Sequence, residues 1–167
     1  MGIRLTPMNE RCYEEFLLRT IDEYAREKVI AGAWLEEESV ALAISEFDRF
    51  LPQGLQTPDA YLYVIEDQDQ GYQLGHLWIG LTDGAYGKVA FLYEINIFEP
   101  HRNRGYGTAV MQHLEVLAAK LGADQIALHV FGHNKRAYHL YAKMGYEVKN
   151  ISMAKTLDKP SNSITTT

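Results

Sequence analysis

The sequence predicts an α/β fold with a mixed central sheet flanked by helices, and three observations predict it. Apolar residues recur at helical spacing in four separate stretches. Runs rich in β-branched and aromatic residues lie between and around them, bounded by Gly, Pro and Asp. The segments follow the order β, α, α, β, β, β, α, β, α, β. The sheet is therefore expected to be antiparallel through its middle strands, where connections are short, and parallel where a helix crosses over.

The first strand is the short "GIRLTP" at 2 to 7. Tyr13, Phe16, Leu17, Ile21 and Tyr24 then share one helical face, and Val40, Ala43, Ile44, Phe47 and Phe50 share another. "EEES" at 36 to 39 reads as the solvated start of that second helix. The loop "LPQGLQTPD" closes the helical region. "YLYVIE" at 61 to 66 and "QLGHLWIGLT" at 73 to 82 are strands, joined through the polar "DQDQGY" as a hairpin, and "VAFLYEINIF" at 89 to 98 is the next. Val110, Met111, Leu114, Leu117, Ala118 and Leu121 make the apolar face of a third helix, which Gly122 ends. "IALHVF" at 126 to 131 is a strand. Asn134 caps a short helix with Ala137, Leu140, Tyr141 and Met144 on its apolar face and Gly145 as its stop. "YEVKNISMAKTL" at 146 to 157 reads as a last strand, and "DKPSNSITTT" has little to bury and is expected to fray. Residues 1 to 157 are thus expected to form a single domain.

At 167 residues the chain can bury one sizeable core, and 47% hydrophobic with 23% charged residues is an ordinary globular balance. No apolar run approaches the roughly 20 residues that span a bilayer, and "MGIRLTPMNER" lacks a secretory apolar core, so no membrane association and a cytoplasmic location are expected. The lone Cys12 allows no internal disulfide, and the scattered histidines, among them His76, His101, His113 and His139, form no metal-ligand grouping, so no metal is expected. Residues 1 to 60 carry 12 acidic and 6 basic side chains, whereas residues 61 to 167 carry 10 of each. All the excess negative charge sits at the N-terminal end, which argues against nucleic acid as a partner.

"HRNRGYGT" at 101 to 108 lies between a strand and a helix. Such a junction gathers unpaired backbone amides at one point, where the helix dipole adds positive charge, and so favours phosphate. Gly105 and Gly107 would let a pyrophosphate approach the backbone while Arg102 and Arg104 supply charge; glycines can equally serve the turn's geometry alone. The turn is no P-loop, since "GTAV" follows the last glycine in place of Lys and Ser or Thr. A dinucleotide fingerprint is disfavoured too, because Val110 stands where a third small residue is needed.

The remaining pattern, RxxGxG opening a helix after "INI", resembles the coenzyme A signature of the GNAT superfamily of acetyl-CoA-dependent N-acetyltransferases. The resemblance runs through "INIFEPHRNRGYGTAVMQHLE" and again through "NKRAYHLYAKMGY", with Asn134, Ala137, Leu140, Tyr141, Gly145 and Tyr146 at the family's positions. It covers residues 89 to 147 closely and implies a GNAT-like sheet. "LHVFGHN" most resembles a branch of bacterial GNAT proteins. The resemblance implies acetyl-CoA as acetyl donor, its pyrophosphate on the amides of Arg102, Asn103, Arg104, Gly105, Tyr106, Gly107 and Thr108. It also implies a pantetheine arm paired with the main chain of Ile95 and Ile97. Asn134 would reach the pantetheine amides as well as capping its helix, and Lys135 and Lys143 would add charge for phosphate.

The implied chemistry is attack by a neutral amine on the thioester, directly within a ternary complex. Tyr141 stands where the family commonly has its general acid, though it also continues the apolar face of its helix. His129 and Glu94 are the candidates for general base, with His129 placed first; an imidazole suits a proton acceptor near neutrality, while a core histidine is its bland alternative. For Glu94 the bland alternative is pairing with Asn96 or a neighbouring sheet residue. A non-catalytic acyl-CoA-binding module is the other function class. The resemblance also implies that the two N-terminal helices and the loop after them line the acceptor's entrance, and the negative charge of that segment points to a cationic amine, either a small molecule or an amine on a peptide or protein. Tyr24 and Trp34 are candidates to hold its ammonium group. Either a monomer or a homodimer is compatible with the sequence.

Overall fold

The structure, a computed structural model, describes residues 2 to 159. Its elements in chain order are β1 (Ile3–Pro7), α1 (Glu10–Ile30), α2 (Glu36–Phe50), β2 (Ala60–Asp67), β3 (Gln73–Gly84), β4 (Gly87–Ile97), α3 (Tyr106–Lys120), β5 (Gln125–Leu128) and α4 (Lys135–Lys143). Single turns of 3₁₀ helix at Gly54–Gln56 and Glu99–His101 complete the loops. The five strands lie in sequence order, antiparallel from β1 to β4, with β5 parallel to β4 after the α3 crossover. This is the expected mixed sheet.

Strand alternation divides the core between the two faces. Leu77 and Ile79 pack with Val110, Met111 and Leu114 of α3 and Tyr141 of α4. Trp78, between them in sequence, turns to the opposite face with Leu62 and Val64, against Phe16 of α1 and Phe47 of α2. The helix α1 runs further than its apolar spacing indicated: Asn9 caps it by accepting from the Cys12 N–H at 2.9 Å, and Ala25 extends its buried side. The buried face of α2 is narrower than expected. Ala43 and Phe47 are buried, but Val40 and Ile44 are 48% and 45% exposed, because the sheet reaches only one edge of the predicted stripe.

Two departures shape the functional end. Trp78 pairs with Glu94 and Ile79 with Leu92, so Tyr93 is an extra residue in β4, a bulge that bends the strand and re-aims the side chains beyond it. The expected strand at 146 to 157 is not a strand here. Residues 147 to 157 are exposed and pair with no other strand among the described residues, despite a sequence suited to one. The proposed fray lies mostly outside the described residues, at 160 to 167. No helix among the described residues is long and apolar enough to cross a membrane.

Candidate active site

The strands β4 and β5 pair only from Val89 to Leu92 against Gln125 to Leu128, and then separate. A cavity of about 970 Å³ occupies the fork. Its floor is β4 from Tyr93 to Ile97, one wall is His129 to Phe131 with α4, and the far wall is α1. The Phe98 N–H donates to the Leu74 carbonyl at 2.8 Å, on the β3 side. Because main-chain groups alternate sides along a strand, those of Ile95 and Ile97 face the fork. They are the edge an extended, amide-bearing ligand would pair with. The Ile97 carbonyl already accepts from Arg102 Nε at 2.7 Å, while Arg102 Nη2 lies 3.4 Å from Asn96 Oδ1. The Arg102 side chain thus ties the turn to β4, where the sequence reading gave it to phosphate.

At the turn, Gly105 is the N-cap of α3 with φ +83°, a left-handed conformation that glycine adopts without strain, and it offers no side chain to cap the helix. The first intrahelical donor is the Ala109 N–H, to the Gly105 carbonyl at 3.1 Å. The N–H groups of Tyr106, Gly107 and Thr108 precede it, at a cavity-lining helix start that favours an anion. Asn103 also lines the cavity; Arg104 does not. The Tyr106 side chain is buried, its hydroxyl donating to Asp67 Oδ2 at 3.2 Å, which leaves only its main chain for the site. A Cβ on Gly107 would lie 3.2 Å from Leu140 Cδ2, so this glycine serves the approach of α3 to α4.

Asn134 lines the cavity and caps α4, accepting from the Ala137 N–H at 3.1 Å. Arg136, Ala137, Leu140 and Tyr141 face the cavity, whereas Lys135 and Lys143 are not among its lining residues. At 100° per residue, Lys135 falls on the opposite side of α4 from this group. Arg136 is thus the basic side chain of α4 that lines the cavity.

Tyr141 is 9% exposed, and its hydroxyl has no hydrogen-bond partner among the described residues. Burial, with added repulsion from Glu94 and Tyr146, pushes its phenol up to about 12, so it remains a proton donor. Glu94 lines the cavity floor without a hydrogen bond or ion pair among the described residues. Asn96, one partner that the bland alternative would give it, instead donates Nδ2 to Glu23 Oε2 at 2.6 Å. Burial, reinforced by the charges of Glu23 and Glu27, pushes the Glu94 carboxyl up to about 8. His129 also lines the cavity but is exposed, one residue past the end of β5, with its ring edge against Phe131.

The α1 wall carries features no motif signalled. Glu23 and Glu27 both line the cavity, and Glu27 pairs with His133 across the mouth. Burial raises the Glu23 carboxyl, opposed by the nearby Arg19, Arg102 and Arg26. Their only trace in the sequence is the acidic excess of the first 60 residues. Tyr24 lines the cavity, its hydroxyl donating to Glu46, but Trp34 does not line it. Lys28 Nζ sits 5.2 Å from the Tyr24 ring centroid and 5.0 Å from that of Trp34, so the chain's own ammonium occupies the position assigned to the acceptor's. Among the described residues, no three His, Cys, Asp or Glu side chains converge as a metal-ligating group.

Comparison with known proteins agrees with this geometry. The model of the Acetyltransferase (GNAT) family matches residues 30 to 146. The uncharacterized N-acetyltransferase YycN of Bacillus subtilis (strain 168) is 35% identical over 94% of this chain and 100% of its own length. The uncharacterized N-acetyltransferase YdgE of the same organism is 34% identical over 94% of this chain and 99% of its own. The crystal structure of YycN superposes with a TM-score of 0.90 at 34% identity, covering 95% of this chain and 100% of that one. An uncapped helix start, a forked sheet and a phenol beside an unpaired carboxyl thus lie within a domain whose sequence and fold are those of an acetyltransferase, and the chain belongs to the GNAT family.

Proposed function

We propose that this enzyme transfers acetyl from acetyl-CoA to a cationic primary amine by direct attack in a ternary complex, with Glu94 as general base and Tyr141 as general acid. The observation that carries the reading is the unpaired Glu94 carboxyl on the floor of the fork, within electrostatic reach of Tyr141. Coenzyme pyrophosphate binds the free amides of Tyr106, Gly107 and Thr108, with Arg136 and Asn134 along the same wall. The pantetheine arm pairs with the main chain of Ile95 and Ile97, which directs its thioester toward Glu94 and Tyr141.

An acceptor ammonium first gives up one proton to solvent, and Glu94 takes a proton from the neutral amine as its nitrogen attacks. The nitrogen then forms its bond to the thioester carbonyl carbon as the carbon–sulfur bond breaks, and Tyr141 protonates the departing thiolate. Both residues reset by exchange with solvent, leaving an amide and free coenzyme A. Placing Glu94 ahead of His129 rests on position: Glu94 stands on the cavity floor among Glu23, Glu27 and Tyr141, whereas His129 is exposed past the end of β5.

The cationic acceptor is supported by Glu23 and Glu27 on its side of the cavity, partly offset by Arg26 and Lys28 of the same wall, with Glu94 adding negative charge as it ionises. Their combined field concentrates cations and weakens as salt screens it over about 10 Å at 0.1 M. The test is acetyl-CoA turnover, followed as free thiol, across size-matched cationic, neutral and anionic amines. Cationic amines should react fastest, with an advantage that shrinks as salt rises. Equal rates for all three at every ionic strength would remove the acceptor assignment, and no turnover with any amine would remove the reaction.

A further inference from the structure

We propose that the acceptor carries a single ammonium on an apolar, ring-sized body, and that Phe50, Phe91 and Tyr93 hold that body at the α2 end of the cavity. The proposal rests on the reading of this cavity as an acceptor site, and it adds what the amine is attached to.

The bulge in β4 builds the subsite. Along a regular strand Tyr93 and Glu94 would point to opposite faces of the sheet. With the extra residue both lie opposite Trp78, on the face covered by α1 and α2. The Tyr93 ring stacks on Trp78, with centroids 4.4 Å apart and planes 15° from parallel, while Glu94 meets the charges of Glu23 and Glu27 of α1. Gly80 of β3 makes room for that ring, since a Cβ there would come within 2.8 Å of Tyr93 Cε2. An aromatic surface and a carboxyl therefore stand side by side in one cavity.

Phe91 and Phe50 extend the surface. Their ring centroids lie 4.8 and 5.4 Å from that of Tyr93, and Phe50 reaches it from the last turn of α2. The core covers Phe47 and Trp78, but Phe50, Phe91 and Tyr93 are only half-buried and line the cavity. Their open apolar surface leaves water when the apolar body of a ligand lies against them.

The charges in and around the cavity limit the acceptor to one cation. The lining carboxyls are Glu23 and Glu27 of α1, Glu94 of the floor and Glu99 of the 3₁₀ turn after β4, and none comes from α2. Two cations border the aromatic end: Lys28 Nζ lies 5.2 Å from the Tyr24 ring centroid, and Arg49 Cζ lies 5.2 Å from that of Phe50. Glu46, beside them, already accepts from the Tyr24 hydroxyl and has Arg49 Nη2 at 3.9 Å. A second ammonium on the acceptor would reach this end desolvated and unpaired, whereas an apolar end would not.

The test sets 2-phenylethylamine against ethylamine, and pentylamine against 1,4-diaminobutane, which has the same length but ends in a second ammonium. Each amine is measured by acetyl-CoA turnover and by calorimetric titration into the protein saturated with coenzyme A. The phenyl ring should raise kcat/KM and affinity about 10²-fold over ethylamine, and pentylamine should exceed 1,4-diaminobutane about tenfold. In Phe50→Ala the phenyl advantage should shrink about tenfold. Turnover of ethylamine and 2-phenylethylamine at equal rates and affinities would overturn the subsite and leave the reaction standing. A diamine that matched pentylamine would overturn the single charge, and a folded Phe50→Ala variant that kept the full phenyl advantage would overturn the assignment of the ring. Absence of turnover with every amine would remove the reaction, and the titrations would still decide the subsite: a phenyl preference would support it, and none would overturn it.

Discussion

Replacing Glu94 with Gln keeps the size of the side chain and removes its titration, so the variant isolates the proton-accepting role. With its carboxyl at about 8, Glu94 is ionised in roughly one molecule in eleven at pH 7 and in nearly all by pH 9.5. The kcat/KM for acceptor, which reports the free enzyme's groups, should therefore climb about tenfold per pH unit below 7 and flatten above 8, roughly tenfold higher than at pH 7. In Glu94→Gln that limb should vanish and the plateau fall by about 10²–10⁴. The assay is thiol release with two amines of different basicity, because a limb belonging to Glu94 stays near 8 with both. Stability supplies a separate reading. Burial raises the folded-state value above the ordinary carboxylate range, so the stability tied to the neutral form is fully present below about 4.5 and is lost as pH rises through about 8. Glu94→Gln should consequently melt higher than the parent above pH 8 and lose that pH dependence. Survival of the kinetic limb in Glu94→Gln, with its disappearance in His129→Ala, would refute the assignment and restore the histidine.

Three further predictions concern the remaining parts of the site. Tyr141→Phe should lower kcat by about 10² with acetyl-CoA affinity little changed, measured by turnover and calorimetric titration. Thr108→Pro removes one free amide from the first turn of α3, where proline is tolerated, and should weaken acetyl-CoA binding about tenfold in calorimetry while the melting temperature holds. Gly107→Val should cost about 1–3 kcal/mol of folding stability in denaturant titration, because its Cβ begins 3.2 Å from Leu140 Cδ2. An unchanged midpoint would show that α3 and α4 have room to spare.

Much of this architecture is legible in the chain because local signals and tertiary environment agree. The period-two run from Leu62 to Ile65 and the i, i+1, i+4 spacing of Val110, Met111 and Leu114 each name the face that the fold buries. The glycine turn is legible for the same reason: Gly105 needs its left-handed conformation to start α3. The bulge at Tyr93 leaves no such trace, since it arises from pairing with β3 and not from β4's own residues. That bulge, together with α1, places Glu94 beside Glu23 and Glu27, a convergence from two distant segments that no spacing rule reveals. Lys135 reads as well as Arg136 in a linear motif, and only the direction of α4 separates them. At 146 to 157 the sequence signal for a strand is clear, and the chain in isolation gives that strand no neighbour.

The central claim is direct transfer between two substrates held together in the fork. Initial rates with both acetyl-CoA and a cationic amine varied, with thiol and N-acetylated product counted in the same samples, test it most directly. Intersecting double-reciprocal lines, thiol and amide formed one for one, and no thiol without acceptor are the predicted result. Parallel lines, with a burst of thiol released by acetyl-CoA alone, would mean that the acetyl group passes through the protein and would contradict the account.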